Sequence, residues 1–386
     1  MTKTITAALF FLAAGIFTSV TILSAYQVLI VPPLLYFAYL AIKNSTFKLP
    51  TSAWWLIGFT VVALISLIIN FDLVPRPSKN FGRVKYFIYG TGLIFVLRHW
   101  LNVVSDQTKK QILNVFFLSI VVAAIYAIHY LLTSGDGRAK GLTDTMRYGY
   151  GSGMVLLMLL SALLHHQQTK NWLNIKFGII AFIFGFTGMY LTYTRGALLG
   201  FLCGLPFVLY YFRPKLGLTL GGLAVLGVLG LGGMYLFGTQ KYDNRFLVNK
   251  NNSSDVIRRS QWKAALIATQ ERPVLGWGLS NFHSQLERIK NENDLDAKDY
   301  NDAHSHNLFL EISSGTGLIG LIFFLGWLIS WAIEAFKAKG LVRAIVVPFG
   351  VAFVVSSQFE VTFDANNASM IFFIYALSVA RQDQRI

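Results

Sequence analysis

Charge is scarce in this sequence. Charged residues make up 13% of the 386 positions and hydrophobic ones 54%, whereas a soluble domain carries roughly 25% charged residues. Water is therefore not the solvent for most of the surface. Cysteine is almost absent: the single Cys203 lies in an apolar run, which excludes an internal disulfide framework and a Cys-based metal site. Long polar segments are also missing, apart from residues 239–305, and no internal repeat or low-complexity tract is present. Acids are outnumbered by bases, 18 to 33, giving a formal charge of +15. The bases are scattered through short loops and form no aromatic-interleaved patch, so nucleic acid is not expected as a partner.

What is present is a succession of apolar stretches near 5–21, 24–42, 53–70, 86–98, 111–133, 149–165, 177–193, 196–212, 216–238, 307–335, 341–358 and 366–381. Polar, Pro or Gly-containing breaks separate them. At roughly 20 residues per span, they predict an all-α integral membrane protein of about twelve transmembrane helices. Residues 1–386 then form a single polytopic membrane domain in contact with membrane lipids. Residues 239–305 form one large loop between the ninth and tenth helices. The start of the chain has a lysine and an apolar run that imitate a signal peptide, but a second apolar run follows at once, so an uncleaved first helix is expected.

With the N-terminus inside, the inner connections receive Lys43 and Lys48, Arg98 with Lys109 and Lys110, Lys170 and Lys176, Arg213 and Lys215, Lys337 with Lys339 and Arg343, and Arg381 and Arg385. That is the positive-inside pattern. The outer connections break it. They hold Arg76, Lys79, Arg83 and Lys85, then Arg138, Lys140 and Arg147, then Arg195, and finally Arg245, Arg258 and Arg259. Cations kept against the orientation bias point to an anionic ligand handled at the outer face, because guanidinium and ammonium groups bind phosphate oxygens. Contacts to lipid phosphates or to Asp136 and Asp144 are the plainer explanation for any one of them.

Two short segments could carry chemistry. Thr194-Arg195-Gly196 falls between two apolar runs, where Thr194 can cap the following helix and free N–H groups, helix dipole and guanidinium would converge on a phosphate. The alternative is an arginine that snorkels to the interface. Asp302-Ala-His304-Ser-His306-Asn307 precedes the tenth apolar run. A histidine there can take a proton from a sugar hydroxyl, or be inert. The His-x-His pair raises zinc, but Asp302 and Glu311 complete no recognised ligand spacing, so no metal is expected. Gly315, Gly317 and Gly320 serve close helix packing beneath the histidines. Glu311, Glu360 and Asp364 are ionisable groups near the same boundary, able to orient a histidine or to pair with Arg195. In the loop, a helix from Ser254–Asp255 to about Gln270 has an irregular apolar face of Ile257, Trp262, Ala265 and Leu266, and Pro273 with Gly276-Trp277-Gly278 ends it.

These residues resemble the O-antigen ligase superfamily, which includes polymerases. Arg195-Gly-Ala-Leu-Leu199 is similar to its Arg-x-x-x-Leu element. His306-Asn307, followed by Gly317-Leu-Ile-Gly320, is similar to its His-Asn and Gly-x-x-Gly pair, and Pro273-Val-Leu-Gly276-Trp-Gly278 to its Pro-x-x-Gly-x-Gly segment. The resemblance implies a glycosyltransferase of a bacterial inner membrane, with its site facing the periplasm. It would transfer glycan from undecaprenyl pyrophosphate to a lipid A-core sugar hydroxyl, without metal, nucleotide or other cofactor. His306 would be the base, with His304 as the competing choice. Arg195 would bind the pyrophosphate, helped by Arg258 or Arg259 and by Arg138, Arg147, Lys79, Arg83 and Lys85. A polymerase extending the lipid-linked glycan, and a transporter of lipid-linked anions, remain as alternatives.

Overall fold

The computed structural model describes residues 1–44, 49–219, 221–222, 253–295 and 304–380. Among them every regular element is helical. The first nine helices are α1 (Thr2–Thr18), α2 (Val20–Asn44), α3 (Thr51–Ile69), α4 (Pro77–Val103), α5 (Asp106–Ser134), α6 (Thr145–Leu164), the single turn α7 (His166–Thr169), α8 (Ile175–Leu191) and α9 (Arg195–Phe212). Then come α10 (Ser253–Glu271), α11 (Phe282–Glu292), α12 (Leu308–Lys337), α13 (Leu341–Ser356) and α14 (Ala365–Ala380). Six helices, within α2, α3, α5, α6, α9 and α12, are long and apolar enough to cross a membrane, and α1, α8, α13 and α14 are shorter apolar helices. The chain is a multi-pass membrane protein.

Each apolar stretch read from the sequence coincides with a described helix, except 216–238, most of which lies outside the described residues together with Lys48, Arg245, Asp302, Arg381 and Arg385. Of the predicted loop 239–305, residues 253–295 are described. They fold as two helices with their own small core, in which Ala264, Ala265 and Ala268 of α10 meet Phe282, Leu286 and Ile289 of α11. The buried apolar positions of α10 are thus alanines, flanked by buried Ser260, Gln261 and Thr269, and Leu266 is exposed. The reason is steric: small side chains let two helix backbones approach closely.

The bundle packs α9 against α13 and α6, α12 against α3, and α10 against α12. Helix α12 is broken at Gly317, whose φ of 69° and ψ of −174° lie outside any helix. The Pro273–Gly278 turn fills the break. Leu318 N–H donates to Pro273 O (2.7 Å), Trp277 N–H to Ser314 O (2.9 Å) and Gly278 N–H to Gly315 O (2.8 Å). The Ser66 hydroxyl of α3 reaches Leu275 O at 2.6 Å and Gly315 O at 2.8 Å. The Ser314 and Gly315 carbonyls at the kink thereby regain donors, which is what a membrane interior demands of irregular backbone. The two glycine motifs of the sequence are the two halves of one joint.

Candidate functional site

Asn307 begins α12 as its N-cap, its Oδ1 accepting the N–H groups of Phe309 (3.0 Å) and Leu310 (3.1 Å), while its amide donates to Gln358 O at 3.2 Å. Leu308 N–H donates to Ser357 O at 2.8 Å. The loop between α13 and α14 is thus sewn to the histidine turn. Within that turn Ser305 N–H donates to Glu311 Oε2 (3.0 Å) and the Ser305 hydroxyl to Asn307 O (2.8 Å). His306 itself has φ 49°, a left-handed conformation that non-glycine residues adopt rarely and at a cost. The surrounding bonds hold it there.

The sewn loop brings in Glu360, which is buried. Its Oε2 accepts from His306 Nδ1 at 3.0 Å, and its Oε1 meets His304 Nε2 and accepts Val361 N–H at 3.0 Å. Burial pushes the carboxyl pKa of Glu360 up, but the hydrogen bonds and charges of His304 and His306 outweigh it and hold the group below the ordinary carboxylate range. A carboxylate only accepts, so Nδ1 of His306 carries the proton. In the neutral ring the lone pair is then on Nε2, the atom able to take a proton from a substrate. His304 is held the other way, through Nε2, with the two rings 4.4 Å apart and His304 the more exposed of the pair. The spacing of residues 302–311 offered no third metal ligand, but the fold supplies one: the ligand atoms of His304, His306 and Glu360 lie within 4.8 Å of one another, a set that could hold a divalent ion.

Directly against this loop stands the first turn of α9. A Cβ built on Gly196 would come within 2.9 Å of Phe359 Cβ and collide with the Tyr150 hydroxyl. Thr194 occupies the N-cap position, but its hydroxyl does not cap the helix; it accepts instead from the Thr192 hydroxyl at 2.9 Å. This corrects the expected cap. It leaves the leading N–H groups of the helix without a side-chain cap, as at helix ends that receive anions. Tyr193, just before, is a second non-glycine residue with positive φ, 50°.

The predicted cations divide into groups. Arg195, Arg138 and Arg258 approach closely enough for their charges to act on Tyr150, as does Glu360 from the histidine side. Arg138 is fixed there by its Nε, which donates to Thr192 O at 3.0 Å. Of the two loop arginines, Arg258 is the one whose charge acts on Tyr150. Arg83 and Arg147 belong to a second group, around Tyr86 and Asp364, and Arg147 Nε pairs with Asp144 at 3.0 Å. Lys85 donates to Gln27 Oε1 at 2.7 Å and lies over the Tyr86 ring. Lys79 is exposed in the first turn of α4. A cavity of about 230 Å³ lined by Leu12, Trp100, Phe116 and Val155 touches none of these residues.

Residues 180–325 match a family model described as O-antigen ligase. This segment is similar to the O-antigen ligase family. It contains Arg195, Arg258, Arg259, His304, His306 and the Gly317 joint, so the motif resemblance holds where the chemistry gathers. The family's activity is glycan assembly on lipid-linked substrates. No curated protein matches the chain. Glu360, Arg138 and Tyr150 fall outside the matched segment. Glu360 was legible only as one of three boundary carboxylates, and Tyr150 carried no signal at all in its apolar run.

Proposed function

We propose that this chain is an O-antigen ligase that transfers glycan from undecaprenyl pyrophosphate to a lipid A-core sugar hydroxyl at the periplasmic face of a bacterial inner membrane. The observation that carries the reading is the His306–Glu360 pair, held by the loop whose Phe359 packs against Gly196 at the start of α9, where the charges of Arg258, Arg138 and Arg195 act on Tyr150. The acceptor oxygen attacks C1 of the donor sugar and its proton passes to His306 Nε2. The C1–O bond to pyrophosphate breaks, and the electron pair leaves with the pyrophosphate. Arg195, Arg138 and Arg258 balance the charge that develops on it. Positioning does most of the work because pyrophosphate is already a competent leaving group. Glu360 is a positioning residue that fixes the tautomer of the base. No residue acts as a covalent nucleophile in this scheme.

His306→Ala and Arg195→Ala, made separately, test it. With purified donor and lipid A-core in detergent, and with a chelator present throughout, the wild type is expected to transfer glycan. His306→Ala should lose roughly 10² to 10⁴-fold, with unchanged abundance and melting temperature. A wild type that lengthens the lipid-linked glycan but never modifies lipid A-core is a polymerase. Activity lost on chelation and restored by zinc would replace the metal-free scheme with one routed through His304, His306 and Glu360. No transfer of either kind would return the transporter alternative.

A further inference from the structure

Tyr150 sits on α6 with 1% of its surface exposed. Its hydroxyl has no hydrogen-bond partner among the described residues. In a chain that fills buried positions freely with phenylalanine, such as Phe17, Phe201 and Phe372, a phenol here adds only a polar atom that is costly to bury unpaired. The surroundings say what would satisfy it. The hydroxyl lies against Gly196, in the first turn of α9, where a side chain larger than hydrogen would block it. The charges of Glu360 and of Arg258, Arg138 and Arg195 all act on it. Two independent features therefore meet: a helix start with no side-chain cap, and a buried, unpartnered hydroxyl aimed at it.

We propose that Tyr150 donates its hydroxyl hydrogen to a phosphoryl oxygen of the lipid-linked donor, bound at the start of α9 between the arginines and the His306–Glu360 pair. This rests on the transfer reading given above and adds a neutral donor to its charged ones. A phenol contributes a directed bond without further positive charge. It places the phosphate at the start of α9, where Gly196 meets both the Tyr150 hydroxyl and Phe359, next to Glu360 in the chain. Gly196 within the Arg-x-x-x-Leu element is then explained: its missing Cβ is the opening through which the hydroxyl reaches the ligand.

The test uses the full chain in detergent and three proteins: wild type, Tyr150→Phe, and Tyr148→Phe as a control. Tyr148 lies on the same helix, but its hydroxyl faces Gly188 of α8. Binding of undecaprenyl pyrophosphate and of the uncharged lipid undecaprenol is measured, together with melting temperature. Tyr150→Phe is expected to weaken binding of the pyrophosphate lipid about tenfold, the effect of one hydrogen bond to a charged group. It should leave undecaprenol binding unchanged and should melt no lower than wild type. Tyr148→Phe should bind both lipids as wild type does. If Tyr150→Phe keeps wild-type affinity for the pyrophosphate lipid, or loses both lipids equally with a lower melting temperature, the hydroxyl has no role in phosphate binding and the inference falls while the transfer reading stands. If the wild type itself binds undecaprenyl pyrophosphate no better than undecaprenol, both fall together.

Discussion

Two irregular places in this bundle bear sequence motifs, and they are built in opposite ways. Around Gly317 the broken helix is closed: the Pro273–Gly278 turn and the Ser66 hydroxyl return donors to its carbonyls at 2.8 to 2.9 Å. Around Gly196 the helix start has no side-chain cap, the charges of three arginines act on Tyr150, and the Tyr150 hydroxyl has no hydrogen-bond partner among the described residues. Glycine serves both. At Gly317 it admits a backbone conformation and the Val274 carbonyl; at Gly196 it admits a side chain from α6. A satisfied glycine motif is architecture, whereas one bordered by unsatisfied polar groups points to something that binds.

Breaking the closed joint should have the larger effect. Gly317→Ala places a Cβ on a residue at φ 69° and ψ −174° and against the Val274 carbonyl. That conformation is nearly restricted to glycine. The expected cost is on the order of 3 kcal/mol, read as a large fall in yield and melting temperature, with activity lost in proportion to folded protein. A variant that melts like wild type would mean that the joint can relax. Then the closed region would not be the rigid base on which the histidine turn rests.

Glu360→Gln sharpens the comparison from the other side, because it should spare the fold and damage the chemistry. Gln retains one acceptor oxygen but turns an amide N–H₂ toward one of the two histidines, so His304 and His306 can no longer both donate to it. Loss of the enforced tautomer should lower kcat by roughly 10²- to 10⁴-fold, the upper end being that of a carboxylate-oriented histidine whose carboxylate becomes an amide. The donor KM should stay near wild type, since Arg195, Arg138 and Arg258 are untouched. A rise in KM with kcat preserved would reassign Glu360 to substrate binding.

How much of this was legible follows from the range over which each feature is encoded. Helices α1 to α6 and α12 to α14 announce themselves through contiguous apolar residues, and Asn307, Gly317 and Gly276 mark turns by local backbone demands. Arg195 and His306 were visible because charge and imidazole are rare at a membrane boundary. The Glu360 contact was not, because 54 residues separate it from His306 and no spacing rule joins two loops. Tyr150 was hidden for a different reason: in an apolar run a tyrosine reads as core, and only the fold shows its hydroxyl against Gly196. The outward cations looked like one set in sequence, yet the charges of Arg83 and Arg147 act on Tyr86 while those of Arg258, Arg138 and Arg195 act on Tyr150. Charge counting by loop cannot make that division.

That division yields the smallest effect and a clean one. Asp364 caps α14, its Oδ1 accepting the N–H groups of Asn366 (2.9 Å) and Asn367 (3.0 Å) and its Oδ2 accepting the Asn367 amide at 2.8 Å. Burial nevertheless pushes its pKa up to about 6 from an ordinary 3.8, against the pull of those bonds and of Arg147. Glu360, a few residues away, is shifted downward. The signs of the two contributions therefore differ. A raised carboxyl gives stability that is present below its unfolded pKa and is lost as pH rises through the folded one, between about 4 and about 6 here. A lowered carboxyl gives stability that is present above its unfolded pKa and is lost as pH falls toward the folded one. Asp364→Asn keeps one capping oxygen and removes the ionisation. Its melting temperature relative to wild type should therefore rise as pH goes from about 4 to about 6 and then level off, while transfer activity stays near wild type. A difference that is flat across that window would mean that Asp364 ionises without cost beside Arg147. The second cation group would then be an ordinary ion-pair cluster rather than one strained by burial.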